Sequence, residues 1–348
     1  MVAFSRVRLV NVRNIQEAAF GPGAGINLLA GGNGAGKSSV LEGIYLGAYG
    51  RSFRTRKVTD LRRRGEKAVG VRLAVEREDG GRGSEIEVRY APGGKRIQEN
   101  GVRVERHGAV AAGVPVGVSC PGTEGVVWGS GRERRGFLDW ILFHVKQGYG
   151  ERVQGYRGAV RQRNQALRGE RPLREVRAWD DYIAREGDWI TSQRQGVVAA
   201  LEARFRDDRW LGERLGLQLE YHAGFDPDNG LGTALEGALD ADRRRRWTGV
   251  GVHVADLGMR VQAAGRAREV LSRGQGKFVR MALLLEASRL IRDEAGVGPV
   301  LLVDDFEAEL DGEAGGEILR RMEEARVQVL LSCLQVPRYM DGVPYRLF

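Results

Sequence analysis

Residues 26–50 read INLLAGGNGAGKSSVLEGIYLGAYG, and this stretch decides the fold. Its first five residues are an apolar run of strand length, and its last dozen carry the spacing of an amphipathic helix. Between them, GGNGAGKS satisfies G-x-x-x-x-G-K-[ST] in full, with Gly31, Gly36, Lys37 and Ser38 at the fixed positions. Glycines allow the backbone to curl until successive N–H groups point at phosphate oxygens, and the next helix adds its positive end. Lys37 would bridge the β- and γ-phosphates, and the Ser38 hydroxyl would ligate Mg²⁺. The whole segment Gly31, Gly32, Asn33, Gly34, Ala35, Gly36, Lys37, Ser38 and Ser39 is read as a nucleotide-binding loop. The alternative, a glycine turn with a chance Lys-Ser, does not account for the strand before it and the helix after it.

A strand ending in acids complements that loop. PVLLVDDFEAELD (299–311) has four apolar residues, Val300 to Val303, followed by Asp304 and Asp305. So short and uniform a run fits a strand buried on both faces of a parallel sheet. Ligand groups in such folds lie at the carboxyl ends of strands. Asp304 is assigned to Mg²⁺ or its water, and Asp305 to orienting or deprotonating the water that attacks the γ-phosphate. The plainer reading is that the two acids only end a strand and cap the next segment.

A second anion grip lies far along the chain. LSRGQ (271–275) places Ser272 at a helix N-cap with Gly274 and Gln275 beside it, ahead of the apolar helix FVRMALLLEASRLIRDE. Ser272 either caps its own helix or serves a phosphate. One triphosphate held by a P-loop needs no distant second grip from the same subunit. Two copies facing head to tail would each offer this tip to the other's nucleotide.

The rest of the chain frames these motifs. At 348 residues it is too long for one simple unit, and 42% hydrophobic content supports a real core. VGVRLAVERE and SEIEVRYAPGGKRIQENGVRVER predict an antiparallel meander. The character changes after WGSGRERRGF (128–137), and from there to about 206 helical spacing dominates, where Trp179, Tyr182, Ile183, Ile190, Val197, Leu201 and Phe205 fall on one face and predict helix-packing core. LQLEYHAGF (217–225) then reads as a strand. The expected architecture is an α/β P-loop domain formed by residues 1–125 and 216–348, split by a mainly helical insertion at 126–215. The N-terminus alternates like a strand and not like a signal peptide, and no apolar run is long enough to span a membrane, so a cytoplasmic protein is expected. Cys120 and Cys333 lack disulfide or zinc spacing, and histidines 107, 144, 222 and 253 lack metal spacing.

The net charge is +9 and all but six of the 55 basic residues are arginine. Such a balance favours a polyanionic partner. Candidate phosphate contacts are Arg51, Arg54, Arg56 and Lys57, then Arg62–Arg64, then Arg132, Arg134 and Arg135, then Arg161 with Arg163, and Arg243–Arg246. No groove-reading motif is visible, which predicts recognition of backbone and shape rather than base sequence.

P-loop, LSRGQ and VLLVDDFEAELD in this order resemble the ABC-type ATPase heads, and within their SMC-like branch the chain resembles the RecF family of bacterial recombination and repair ATPases. Further stretches carry that likeness: LVNVRNI (9–15), GRSFRTRKVTDL (50–61), RRGFLDWILFHV (134–145) and YRGAVRQRNQAL (156–167). The resemblance spans essentially the whole chain. It implies that Arg13 and Asn14 line the nucleotide site. Ser272, Arg273, Gly274 and Gln275 would contact the partner's ATP, with Asp311 in a loop across the dimer interface. The helical insertion would be a lever arm. The family's activity implies weak DNA-dependent ATP hydrolysis, an ATP-dependent homodimer that clamps double-stranded or gapped and single-stranded junction DNA, and cooperation with RecR and RecO in RecA loading. Departures from the pattern are Asp305 in place of a glutamate, Arg273 in place of a glycine, and Ser332 or Cys333 where a histidine is usual. The loop SCPGTEG (119–125) has no glutamine and offers only Glu124 as a sensor of the γ-phosphate. Together these point to slow, switch-like turnover. A nucleotide-binding subunit of an ABC transporter is the main alternative, and a non-enzymatic scaffold with a relic nucleotide site the second.

Overall fold

The computed structural model describes residues 2–55, 57–77, 83–105, 107–121, 125–262, 264–340 and 343–348. Contacts divide the chain into two compact units, one formed by 1–124 with 272–348 and the other by 125–271.

The first unit holds two sheets. A five-stranded parallel sheet runs in the order Tyr345–Leu347, Ile26–Ala30, Val329–Cys333, Val300–Val303, Val116–Ser119. Val300 to Val303 are all 1% exposed or less, as the uniform apolar run predicted. Each such side chain contributes about 1.5–3 kcal/mol by leaving water. A six-stranded antiparallel sheet is built on Val2–Val12, flanked by Ile15–Phe20 on one side and the meander Val69–Arg77, Ser84–Ala91, Gly94–Glu99, Val102–Arg103 on the other. The register of the first strand shifts between Phe4 and Arg6, which is why its buried positions are Val2 and Phe4 before the shift and Val7 and Leu9 after it.

The helix Lys37–Tyr49 packs on both sheets and shares one core with them, through Leu41, Ile44 and Leu46. It lies close against the antiparallel sheet because it has little side chain there. A Cβ on Gly47 would sit 2.6 Å from Leu73 and 2.9 Å from Val71. The small residues of EGIYLGAYG thus set how near the nucleotide loop is drawn to the core.

The second unit contains the helices Gly131–Val145, Tyr149–Arg168, Asp180–Arg206 and Gly230–Arg245. It also contains a small antiparallel sheet of Leu217–His222, Asp256–Val261 and Gly265–Arg266. This unit therefore continues to 271, beyond the 215 expected for the insertion. The two longer strands satisfy each other's backbone groups over six paired positions, and the first also takes a hydrogen bond from its amide at Leu219 to Glu202 of the long helix. On that long helix Ile183, Ile190, Val197, Leu201 and Phe205 are buried. Trp179, at the N-cap, and Tyr182, expected to share that face, are more than one-third exposed.

Candidate nucleotide site

The site forms where the parallel strands Ile26–Ala30, Val329–Cys333 and Val300–Val303 end. After Ala30 the chain turns through the glycine loop into the helix at Lys37. Gly36, with φ 104°, stands at the N-cap in left-handed backbone that a side chain resists. The amides of the first helical turn have no intrahelical acceptor and carry the positive end of the helix. Residues 33–39 line a cleft of about 620 Å³ together with Asn14, Arg54, Asp304, Asp305 and Ser332. Lys37 Nζ donates to the carbonyls of Gly31 at 2.5 Å and Gly32 at 2.9 Å, which places its charge over the loop.

The two residues expected from the N-terminal motif divide their work. Asn14 donates to the Gly34 carbonyl at 2.8 Å, accepts the Ser39 hydroxyl at 2.8 Å, and lines the cleft. Arg13 does not line it. Its guanidinium forks onto both carboxylate oxygens of Glu42 at 2.9 Å, and that hydrogen-bonded pair raises the Arg13 pKa. Glu42 is fully buried on the P-loop helix, and a buried carboxylate demands a partner. Arg13 is a brace for the helix. Arg54 makes the reverse move: grouped by sequence with the DNA contacts, it lies at the nucleotide cleft.

Three hydroxyl and carboxylate groups converge opposite the loop. The Ser38 hydroxyl donates to Asp304 Oδ1 at 2.9 Å, and the Ser332 hydroxyl donates to the same oxygen at 2.6 Å. Ser332 Oγ also accepts the amide of Asp305 at 2.8 Å. Asp304 is only 6% exposed, and its own amide donates to the Ser119 carbonyl. Asp305 adopts φ 56°, an uncommon backbone for an aspartate, and reaches the cleft from there. Ser38 and Asp304 are hard oxygen donors that suit Mg²⁺ beside a triphosphate. Ser332 stands where the sequence lacked its histidine, tying Asp304 to the turn that presents Asp305.

The LSRGQ tip is a helix N-terminus, as predicted. Ser272 Oγ accepts the Gln275 amide at 3.2 Å, and the Ser272 amide donates to Gln275 Oε1 at 3.0 Å, a reciprocal capping box. Ser272, Arg273 and Gln275 are nonetheless exposed. Asp311 is likewise exposed and caps the helix Gly312–Ala325 through the Ala314 amide. Gly274 is required by closeness, since a Cβ there would lie 2.5 Å from the Glu309 carbonyl oxygen.

Sequence reasoning missed Lys277. This residue is 3% exposed, and its ammonium donates to the carbonyl of Asp305 at 2.7 Å and to that of Ala308. Burial pulls its pKa down to about 8, against the upward pull of Asp305. One of only six lysines in an arginine-rich chain, one turn into an apolar helix, was the available signal.

The basic candidates separate by burial. Arg51, Lys57 and Arg132 are exposed. Arg56 and Glu124 lie outside the described residues. Arg134 is removed from the DNA candidates: it is buried and forks onto Asp256 with two contacts of 2.7 Å. Arg163 is removed too, being fully buried between Asp180 and Asp242 at 2.7 Å each. Arg135 is half-buried and donates to the Ala255 carbonyl.

A family described as an AAA domain matches residues 6–113. The DNA replication and repair protein RecF of Pseudomonas fluorescens is 34% identical over 345 residues, covering 98% of this chain and 93% of that protein. The protein of the same name from Chromohalobacter salexigens is 35% identical over 348 residues, covering 95% and 91%. Among solved structures, the recombination mediator protein RecF with ATP superposes with a TM-score of 0.85 at 24% identity, over 97% of this chain and 93% of that one. The Smc head domain of Pyrococcus furiosus superposes with a TM-score of 0.57 at 14% identity, over 98% and 92%. The P-loop, acidic strand and LSRGQ tip therefore sit in an SMC-like ABC-type ATPase fold, and the chain belongs to the RecF family.

Proposed function

We propose that this chain is a cytoplasmic ATP-dependent DNA-binding protein of recombinational repair. ATP would bind along Gly31–Ser39, with Lys37 against the β- and γ-phosphates. Ser38 and Asp304 would hold Mg²⁺, which neutralises charge on the triphosphate. Asp305 would orient the water that attacks the γ-phosphorus and take its proton. ATP binding would join two copies head to tail, with Ser272, Arg273, Gly274 and Gln275 of each copy, and Asp311 nearby, facing the nucleotide of the other. The closed pair would clamp duplex or gapped and single-stranded junction DNA, and slow hydrolysis, stimulated by DNA, would reset it. RecR, and through it RecO and RecA loading, are the partners this reading assigns.

The observation that carries it is the exposed Ser272 tip. It is a capped helix N-terminus whose Ser272, Arg273 and Gln275 are exposed, on the same unit as a P-loop site that already has its own anion grip. Family membership supports the DNA repair role and does not favour the transporter alternative. Among the described residues no helix is long and apolar enough to cross a membrane.

Sedimentation of the full chain with and without ATP, and with and without gapped DNA, is the direct test. The expected result is a monomer that dimerises with ATP, and a Ser272→Arg chain that binds ATP yet stays monomeric. A persistent ATP-dependent dimer in Ser272→Arg would refute the trans grip. Absence of phosphate release with gapped DNA present would favour a scaffold with a relic site.

A further inference from the structure

Within the second unit, four guanidinium groups converge on one small cavity of about 290 Å³, those of Arg132, Arg135, Arg157 and Arg194. One carboxylate serves them. Asp139 accepts Arg194 at 2.8 Å and Arg157 at 3.0 Å, and its remaining capacity goes to the Tyr149 hydroxyl at 2.6 Å. Arg194 is 2% exposed and is fixed further by the Val252 carbonyl at 2.9 Å. Arg135 finds only the Ala255 carbonyl at 2.6 Å, and no carboxylate of the described residues lies within ion-pair distance of Arg135 or Arg132. The nearest candidate acid, Asp256, is held by both nitrogens of the Arg134 fork.

The remaining wall adds no negative charge. His253 Nε2 donates to the Thr248 carbonyl at 2.9 Å, and its Nδ1 shares a 2.8 Å hydrogen bond with the Tyr156 hydroxyl. Burial lowers its pKa, which favours the neutral ring. Burial, with Arg194 as neighbour, also lowers that of Arg135. Arg132 moreover stands in the first turn of the helix Gly131–Val145, whose end is positive and whose Glu133 is taken up by the Ser130 cap, and Arg135 follows directly after it. Arg194 is buried and Arg135 half-buried, and bringing like charges together where water is partly excluded is costly unless a counter-charge is supplied. Planar guanidinium forks facing a common space supply several parallel N–H donors, the pattern that fits a tetrahedral oxyanion.

The geometry points to this cavity as a phosphate-binding site, additional to the P-loop and contained wholly in the second unit. Its ligand is a phosphate group carried either by a nucleic-acid backbone or by a free phosphate. Only the first of these sources rests on the DNA-binding reading above. Arg194 is the buried, preset member, Arg157 is held beside it by Asp139, and Arg135 and Arg132 supply the charge that no ion pair compensates.

The test compares the full chain with Arg135→Gln and with Arg132→Gln, the latter at an exposed position where folding is not at stake. Saturating ADP with Mg²⁺ fills the P-loop in each. One arm titrates inorganic phosphate at constant ionic strength and follows the melting temperature. The other measures affinity for a gapped duplex across a salt series. A backbone site predicts that either variant flattens the slope of log affinity against log salt by about one, since one phosphate contact is lost. A free-phosphate site predicts that the variants lose the phosphate-induced rise in melting temperature while the DNA slope stays the same. If both variants match the parent in both arms, or the parent responds in neither, the site does not exist. Failure of DNA binding alone would sink the repair reading and leave the phosphate arm to decide this one.

Discussion

The ammonium of Lys277 lies 2.7 Å from the backbone carbonyl of Asp305, so the helix that begins with Ser272 is bonded to the turn that presents the second acid. The bond is charge-assisted and buried, a class worth about 1.5–3 kcal/mol. Lys277→Met is expected to retain ATP binding and to slow hydrolysis by about 10- to 100-fold, the rate equivalent of that energy. Lys277→Arg, which keeps the charge, should recover part of the loss. Steady-state phosphate release alongside equilibrium nucleotide binding checks this, and unchanged turnover in Lys277→Met would show that the loop holds its place without the lysine.

The same lysine sets a dependence of stability on pH. Its folded pKa of about 8 is below the ordinary 10.5, so between these values the unfolded chain binds more protons than the folded one. Stability contributed by this site therefore rises with pH through that window and is flat below it. Relative to Lys277→Met, the parent should gain up to about 3 kcal/mol between pH 7.5 and 10. Urea unfolding of both chains at matched pH reads the difference, and a parallel course for the two would contradict the burial cost.

Ser332 joins Asp304 to the Asp305 amide, and its removal leaves both short of a partner. Ser332→Ala is expected to reduce hydrolysis by about 10-fold through loss of a hydrogen bond to a charged group worth about 1.5 kcal/mol. Nucleotide affinity should change far less, because the P-loop donors are untouched. A rate equal to the parent's would assign Ser332 a packing role only.

Arg163 knits the second unit together by joining Asp242, Asp180 and Thr248 from inside the core. Arg163→Met strands Asp242, which is fully buried, and should cost about 3–5 kcal/mol. The double change Arg163→Met with Asp242→Leu should recover much of that cost. Denaturation of the two variants distinguishes a stranded carboxylate from simple loss of volume.

The features legible in the sequence were the local ones. A strand, a glycine loop and a helix succeed one another in 26–50, and Val300–Val303 needs only its own apolarity to be read as buried. What escaped depended on distant partners. Arg134 and Arg163 look like surface charge until the acids at 256 and at 180 and 242 are brought beside them. Arg13 left the nucleotide cleft because a buried Glu42, one turn into the P-loop helix, claims it, and Arg54 lines the cleft instead of joining the DNA candidates. The insertion ran past 215 because a strand pair is invisible until its partner forty residues on is recognised.

Gly274 and Lys277 both press on the short turn between Asp305 and Glu309, one by lacking a side chain and one by reaching across with a charge. Any insertion or deletion in those five residues would displace Asp305 and the Ser272 tip in a single stroke. Under the proposed function, how long two copies stay joined and how fast their fuel is spent would then be inherited as one trait.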